Sequence, residues 1–249
     1  QVEIIENKGD EGMIFLVEPW VEYRISENGY FETFEQLTIN NEQFTIDEWK
    51  YSQYTGIAFE KESRHIVYNT SDLWIDTKDV KDLGERKLYA SNWKDARLLP
   101  GTKVAMRTWN RPAPGIFLDH SNDTYINNVN VHYAEGMGLL AQRCDNIELD
   151  GFNVCLRGDD DPRYFTTQAD ATHFSQCKGL IRSEHSIYEG MMDDAINVHG
   201  IYLKVHGRID DFTIRCSYEH YQAWGFAWGD VGDNVCFIKA MTMEMLEER

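Results

Sequence analysis

Between residues 115 and 206 the chain is a succession of short apolar strands, each ending in Asn, Asp or Gly. They read GIFLDHS, YINNVNVHYAEG, MGLLAQRC and DNIELDGFNV, followed by ADATHFSQC, KGLIRSEHSIYEG and DDAINVHGIYLKV. No hairpin dipeptide stands between one strand and the next, as an antiparallel meander would need. Short strands with polar corners, repeated in this way, fit a parallel β-helix. Val129, Ile147 and Leu180 are expected to open equivalent strands, and Gly136, Gly151 and Gly190 to close them. Residues 156–167 (LRGDDDPRYFTT) break the phase and are expected to form a loop ejected from one coil.

A coil of this length has a chemical consequence. Asp170 precedes Asp193 and Asp194 by 23 and 24 residues, about one coil, and neighbouring strands lie about 4.8 Å apart. The three carboxylates are therefore expected to stack, with no Lys or Arg close by in the same segment between Thr166 and Gly200 other than Lys178 and Arg182, further along. Like charges raise one another's pKa, so such a cluster needs a reason. Glycoside hydrolysis supplies one, because it uses a pair of carboxyl groups astride the scissile bond. The bland alternative is a solvated acidic corner on an acidic protein. Adjacent strand residues face opposite sides, so Asp193 and Asp194 serve together only at a bulge or corner.

Gln168, His173, Asn197 and His199 lie within a few residues of these aspartates and suit sugar hydroxyls. A divalent-metal site is the other option, but no HExxH or HxH spacing supports it. Trp224 and Trp228, in AWGFAWG, offer indole faces on which a pyranose stacks, or else form the core of a terminal module.

From Val2 to about Met106 the expected strands are VEII (2–5), MIFLV (13–17), VEYRI (21–25), FETFEQLTI (31–39), GIAFE (56–60), HIVY (65–68) and KVAMR (103–107). Turn signals at Asn28-Gly29 and Asn40-Asn41 separate them, which suggests an antiparallel sheet, sandwich or small barrel. After Gly207 the pattern returns to ordinary strands. The expected organisation is an antiparallel β module over 1–110, a parallel β-helix over 111–206 and part of a second antiparallel module over 207–249. Some four coils without recognisable caps, and a chain that opens on Gln1, suggest an internal piece of a longer protein.

With 24 Lys and Arg against 42 Asp and Glu, the formal net charge is −18. That argues against nucleic acid and anionic membrane surfaces as partners. No apolar run reaches the ~18 to 20 residues of a spanning helix, and residues 1–20 lack a signal-peptide pattern. The five cysteines form no CxxC pair, which argues against zinc and gives no readable disulfide framework. Cys144 and Cys177 are expected as stacked core residues.

At TTQADATHF and EGMMDDAINVHG, with HYAEGMGLLAQRC and PGIFLDHS upstream, the sequence resembles glycoside hydrolase family 110. The likeness is strong over residues 110–205 and looser to about 240; before 110 only the strand-rich character is similar. The resemblance implies an all-β protein with a right-handed parallel β-helix core and β-barrel modules. It implies a secreted, periplasmic or cell-surface bacterial enzyme that removes terminal α-1,3-linked galactose from host glycans. The substrates are blood group B or linear α-galactosides, on oligosaccharides, glycoproteins or glycolipids, and the reaction inverts configuration without metal or other cofactor. Carried over residue by residue, it makes Asp170, Asp193 and Asp194 catalytic, with Asp193 the general acid and Asp170 and Asp194 positioning the water. Coupled carboxylates titrate as a group, so this division is the finest part of the expectation. The rivals are a carbohydrate-binding β-helix without turnover and a polysaccharide lyase, though a lyase needs cations to neutralise a uronate.

Overall fold

The computed structural model describes residues 1–49, 53–70, 72–107 and 111–246. The described residues are all-β apart from two short 3-10 turns. They fall into two compact units, residues 1–198 and 199–249.

The first unit opens with ten strands. These are β1 (Val2–Asn7), β2 (Met13–Val17), β3 (Glu22–Ile25), β4 (Phe31–Ile39), β5 (Glu42–Trp49), β6 (Gln53–Phe59), β7 (Leu73–Asp76), β8 (Val80–Gly84), β9 (Lys87–Ala90) and β10 (Lys103–Arg107). Alternation drives them together: Val2, Ile4, Met13, Phe15 and Val17 are fully buried on one face, as a period of two requires. Seven strands form an antiparallel sheet in the order β7-β6-β10-β1-β2-β9-β8, and β3-β4-β5 form a second. Phe15 stacks on Trp93 with ring centroids 4.5 Å apart at the centre of this barrel-like core. Asn40 and Asn41, both with positive φ (53° and 66°), turn β4 into β5, the backbone that a tight right-twisted hairpin demands. The expected strand HIVY does not form. Arg64 and Asn69 take positive φ on either side of it, so only the isolated bridge between Phe59 and Ile66 survives.

The chain then forms β11 (Ile116–Asp119), β12 (Asn122–Val131), β13 (Leu139–Gln142), β14 (Asp145–Val154), β15 (Thr172–Ser175), β16 (Lys178–Glu184) and β17 (Ile196–His199). Alternate strands go to alternate sheets, one ordered β11-β13-β15-β17 and the other β12-β14-β16. The pairs β11–β13, β13–β15, β12–β14 and β14–β16 are parallel. Ile116 faces Leu139 and Asn122 faces Asp145, an offset of 23; Leu139 faces Thr172 and Asp145 faces Lys178, an offset of 33. The extra ten residues are taken up within the twelve-residue 156–167 segment. Equivalence differs from the expected phase: Ile147 pairs with Thr124 and Ile181, and Val129 pairs with Phe152. Leu180 falls at a register shift and is exposed, while Gly151 lies inside β14 rather than at its end.

Corners repeat with the strands. His120, Arg143 and Gln176 have φ of 50°, 51° and 52°, and Asp123, Asn146 and Gly179 have φ of 49°, 57° and 66°. Side chains stack along the second column: Asn146 Nδ2 donates to Asp123 Oδ1 at 2.9 Å, and Asn146 Oδ1 accepts from Leu180 N at 2.9 Å. The third member is glycine because a Cβ there would sit 2.3 Å from that same Asn146 Oδ1. Inside, Leu139, Ala141, Ile147, Leu149, Phe152, Val154, Ala171 and Phe174 are buried, with Cys144 at a corner. Cys177 is half-buried one rung on, its thiol pushed up by burial and by its neighbour Cys144 despite a backbone hydrogen bond in the opposite sense.

The 156–167 segment leaves its coil and docks on the barrel. Tyr164 donates its hydroxyl to Lys61 O at 2.8 Å and its N–H to Gln1 Oε1 at 3.0 Å. Asp161, only 3% exposed, accepts from Arg157 N and Arg163 N at 3.0 Å each. Burial pushes its carboxyl up, but those N–H groups and the Arg163 charge outweigh burial and hold it below the usual carboxylate range.

The second unit contains an antiparallel pair, β18 (Leu203–Arg208) and β19 (Ile214–Tyr218), then a 3-10 turn at Tyr221–Ala223.

Asp161→Ala is expected to cost about 1–3 kcal/mol, the penalty of orphaned buried donors. Because the native carboxyl is held low, its contribution is complete above the unfolded-state value near 4 and is lost as pH falls through the native value. Thermal melts should therefore show a constant gap from wild type at neutral pH that closes under acid.

Candidate active site

The parallel register carries Asp170 to its partners. Ala171 N donates to Asp194 O at 2.8 Å and Thr172 N to Ala195 O at 3.2 Å, the pattern by which Ile116 N donates to Gly138 O while facing Leu139, so Asp170 sits beside Asp194, 24 positions later. Oxygens of Asp170, Asp193 and Asp194 lie within 4.8 Å of one another. Both of the adjacent pair reach the cluster because they precede β17 in a bend rather than lying within a strand. Two such charges repel by about 1 kcal/mol in bulk water and by severalfold more where water is excluded.

Each carboxylate has a distinct setting. Asp170 is 1% exposed and its Oδ2 lies 2.5 Å from His173 Nδ1. Asp193 Oδ2 accepts from Arg111 Nη2 at 2.6 Å, with Arg107 Nη1 at 3.9 Å. The Asp194 side chain is exposed and makes no hydrogen bond or ion pair among the described residues.

The two arginines correct the expectation of a cluster without close cations. They come from a part of the sequence some 80 residues earlier, and the signal for Arg107 was its parity. On β10, Val104 packs into the barrel core, whereas Lys103, Ala105 and Arg107 share the outer face. That outer face is buried, under Phe165 and Met192, together with Ile57 and Phe59 of β6. Charges there require partners. Lys103 finds Glu3 at 2.6 Å and Glu18, and Arg107 finds the aspartate segments.

Among the other expected residues, Gln168 Nε2 donates to Tyr133 OH at 3.2 Å. Tyr133, which sequence reasoning missed, lies edge-on to Phe165 and beneath the Arg163 guanidinium. Asn197 is half-buried on β17, whose last residue is His199; the latter is exposed, with Nδ1 3.0 Å from Gly200 O. Trp224 and Trp228 belong to the second unit and are not core there: they are 69% and 39% exposed, and Trp228 Nε1 donates to Ile201 O at 3.0 Å. The three clustered carboxylates could hold a divalent cation, but exposed acidic groups are common without one.

Residues 1–104 match the model of the GLAA-B beta-barrel domain I family. An α-1,3-galactosidase B of Phocaeicola vulgatus is 55% identical over 246 residues, covering 99% of this chain and 40% of that protein. The chain is a homologue of the α-1,3-galactosidases. A Bacteroides fragilis α-1,3-galactosidase B is 54% identical over the same shares, and a B. fragilis α-1,3-galactosidase A is 26% identical over 79% of this chain and 32% of that protein. The resemblance to glycoside hydrolase family 110 thus stands, and it reaches residues 1–110 as well, where strand-rich character alone was expected. The chain spans about two fifths of the length of these galactosidase B relatives.

Different pairings give different responses to charge removal. Asp194→Asn relieves repulsion without breaking a contact and is expected to raise Tm. Asp193→Asn weakens the Arg111 pair and is expected to lower it. Differential scanning fluorimetry of the two variants at pH 7 checks the order.

Proposed function

We propose that this chain carries the catalytic centre of an exo-acting glycosidase that removes terminal α-1,3-linked galactose from bacterial-host glycans with inversion. The observation that carries the reading is the three-aspartate cluster, assembled by strand register in a chain homologous to α-1,3-galactosidases. The two parallel sheets are read as walls of a right-handed β-helix, with the barrel-like module packed on one side. Blood group B and linear α-galactosides are the substrate classes, and the setting is secreted, periplasmic or cell-surface.

Asp193 is assigned as proton donor to the leaving oxygen, and Asp170 and Asp194 as the pair that orients and deprotonates water. His173, bonded to Asp170, fixes that carboxylate's orientation. Arg111 donates to Asp193 Oδ2, a contact that favours the ionised carboxylate, so Arg111 must release Asp193 and the carboxyl must take up a proton before it donates to the leaving oxygen. Inversion rests on the resemblance. Acid and base in inverting enzymes stand roughly 6.5–9.5 Å apart to admit a water, wider than the 4.8 Å within which these oxygens gather. Sugar and water would part the cluster on binding.

The test is release of galactose by the 249-residue chain from an α-1,3-galactosyl oligosaccharide, followed by proton NMR. β-Galactose is expected first; α-galactose first would overturn inversion. Asp193→Asn and Asp170→Asn should each lower kcat by about 10²–10⁴-fold, the usual contribution of a positioned acid or base. EDTA should leave the rate unchanged. Galactose affinity without release from a folded sample would favour a binding module instead, and an unsaturated uronate product would favour a lyase.

A further inference from the structure

Arg107 is the last residue of β10, paired with Thr55 across the barrel sheet, and is 5% exposed. Its guanidinium fork joins three separate stretches of chain. Nη1 donates to Met192 O and to Gln168 O, the latter at 3.4 Å, and Nη2 donates to Asp72 Oδ1 at 2.7 Å. Met192 immediately precedes Asp193, and Gln168 precedes Asp170 by two residues. Asp72, on the turn before β7, holds a left-handed backbone with φ 56°. Met192 is also pinned through its side chain in the apolar cluster with Ile57, Phe59, Ala105 and Phe165.

We infer that Arg107, backed by Asp72, is a positioning residue that sets the spacing of Asp170 from Asp193 and Asp194 by holding their two backbone segments to the barrel. Strand pairing fixes the segments only along the ladder direction. Just ahead of β15 and β17 the chain lies in bends, where a planar fork with fixed donor directions can hold two carbonyls at once. The barrel-like module then serves catalysis through its outer face. This inference rests on the glycosidase reading for its kinetic consequence, but its structural consequence is independent of it.

Hydrogen exchange by mass spectrometry and galactose-release kinetics on the same samples test it. In Arg107→Met and Arg107→Lys, faster exchange is expected in peptides spanning Gln168–Asp170 and Met192–Asp194, with β12 and β14 unchanged. kcat should fall about 10²-fold, the cost of a misplacement near 1 Å, with KM little altered, because Arg107 is buried and bonded to Gln168 O, Met192 O and Asp72. Lysine should not rescue, since one ammonium cannot reproduce the fork. Asp72→Asn, on a half-exposed side chain, should show the same pattern more weakly if the Met variant fails to fold. Unchanged exchange in both Asp72→Asn and Arg107→Lys, or a loss expressed in KM alone, would overturn the role. An inactive wild type with the expected exchange pattern would instead overturn the glycosidase reading and leave the positioning intact.

Discussion

The parallel hydrogen-bond register between the stretches that open β15 and β17 is the constraint on which the site depends. Ala171 N to Asp194 O and Thr172 N to Ala195 O translate spacings of 23 and 24 residues in sequence into carboxyl oxygens within 4.8 Å. A one-residue slip of this pairing would move Asp193 and Asp194 by one position, about 3.3 Å along the strand direction, relative to Asp170. On the β15 side the register toward β13 is backed by packing, with Ala171 and Phe174 buried among Leu139 and Ala141, whereas Ile196 and Val198 of β17 are exposed, so the backbone hydrogen bonds hold β17 in place.

Repulsion within the trio is met from outside the coils. Arg111 and Arg107 approach Asp193, His173 engages Asp170, and Asp194 is left to solvent. A buried guanidinium is costly unless its hydrogen bonds are made. Arg107 Nη1 makes its bonds to the carbonyls of Gln168 and Met192, so contacts that partner this charge also restrain the segments carrying the aspartates. The 156–167 segment works to the same end: it lengthens one coil by ten residues and places Phe165 and Tyr164 against the barrel, beside Met192.

Much of this was legible in the sequence where one short-range rule governs. The strands MIFLV, FETFEQLTI and KVAMR follow from alternation, the Asn40-Asn41 hairpin from the backbone those residues tolerate, and the stacking of Asp170 on the pair from coil length. What was not legible depends on partners distant in sequence. HIVY has strand composition, but the positive φ values of Arg64 and Asn69 close it off. The placing of Val129 and Leu180 as strand openers failed because register follows the buried residues and the bulge between Asp145 and Ile147. Arg107 and Arg111 escaped notice because a cation's burial is set by what folds over it. Only the parity of Arg107 with Ala105 hinted that β10 is covered on both faces.

The most direct measurement is a crystal structure of the chain with galactose bound. The anomeric carbon is expected to face Asp170, Asp193 and Asp194, with Arg111 drawn away from Asp193 Oδ2 and Arg107 still on Met192 O. Galactose bound away from the three carboxylates, with the Arg111–Asp193 pair intact, would contradict the central claim that strand register builds the catalytic centre here.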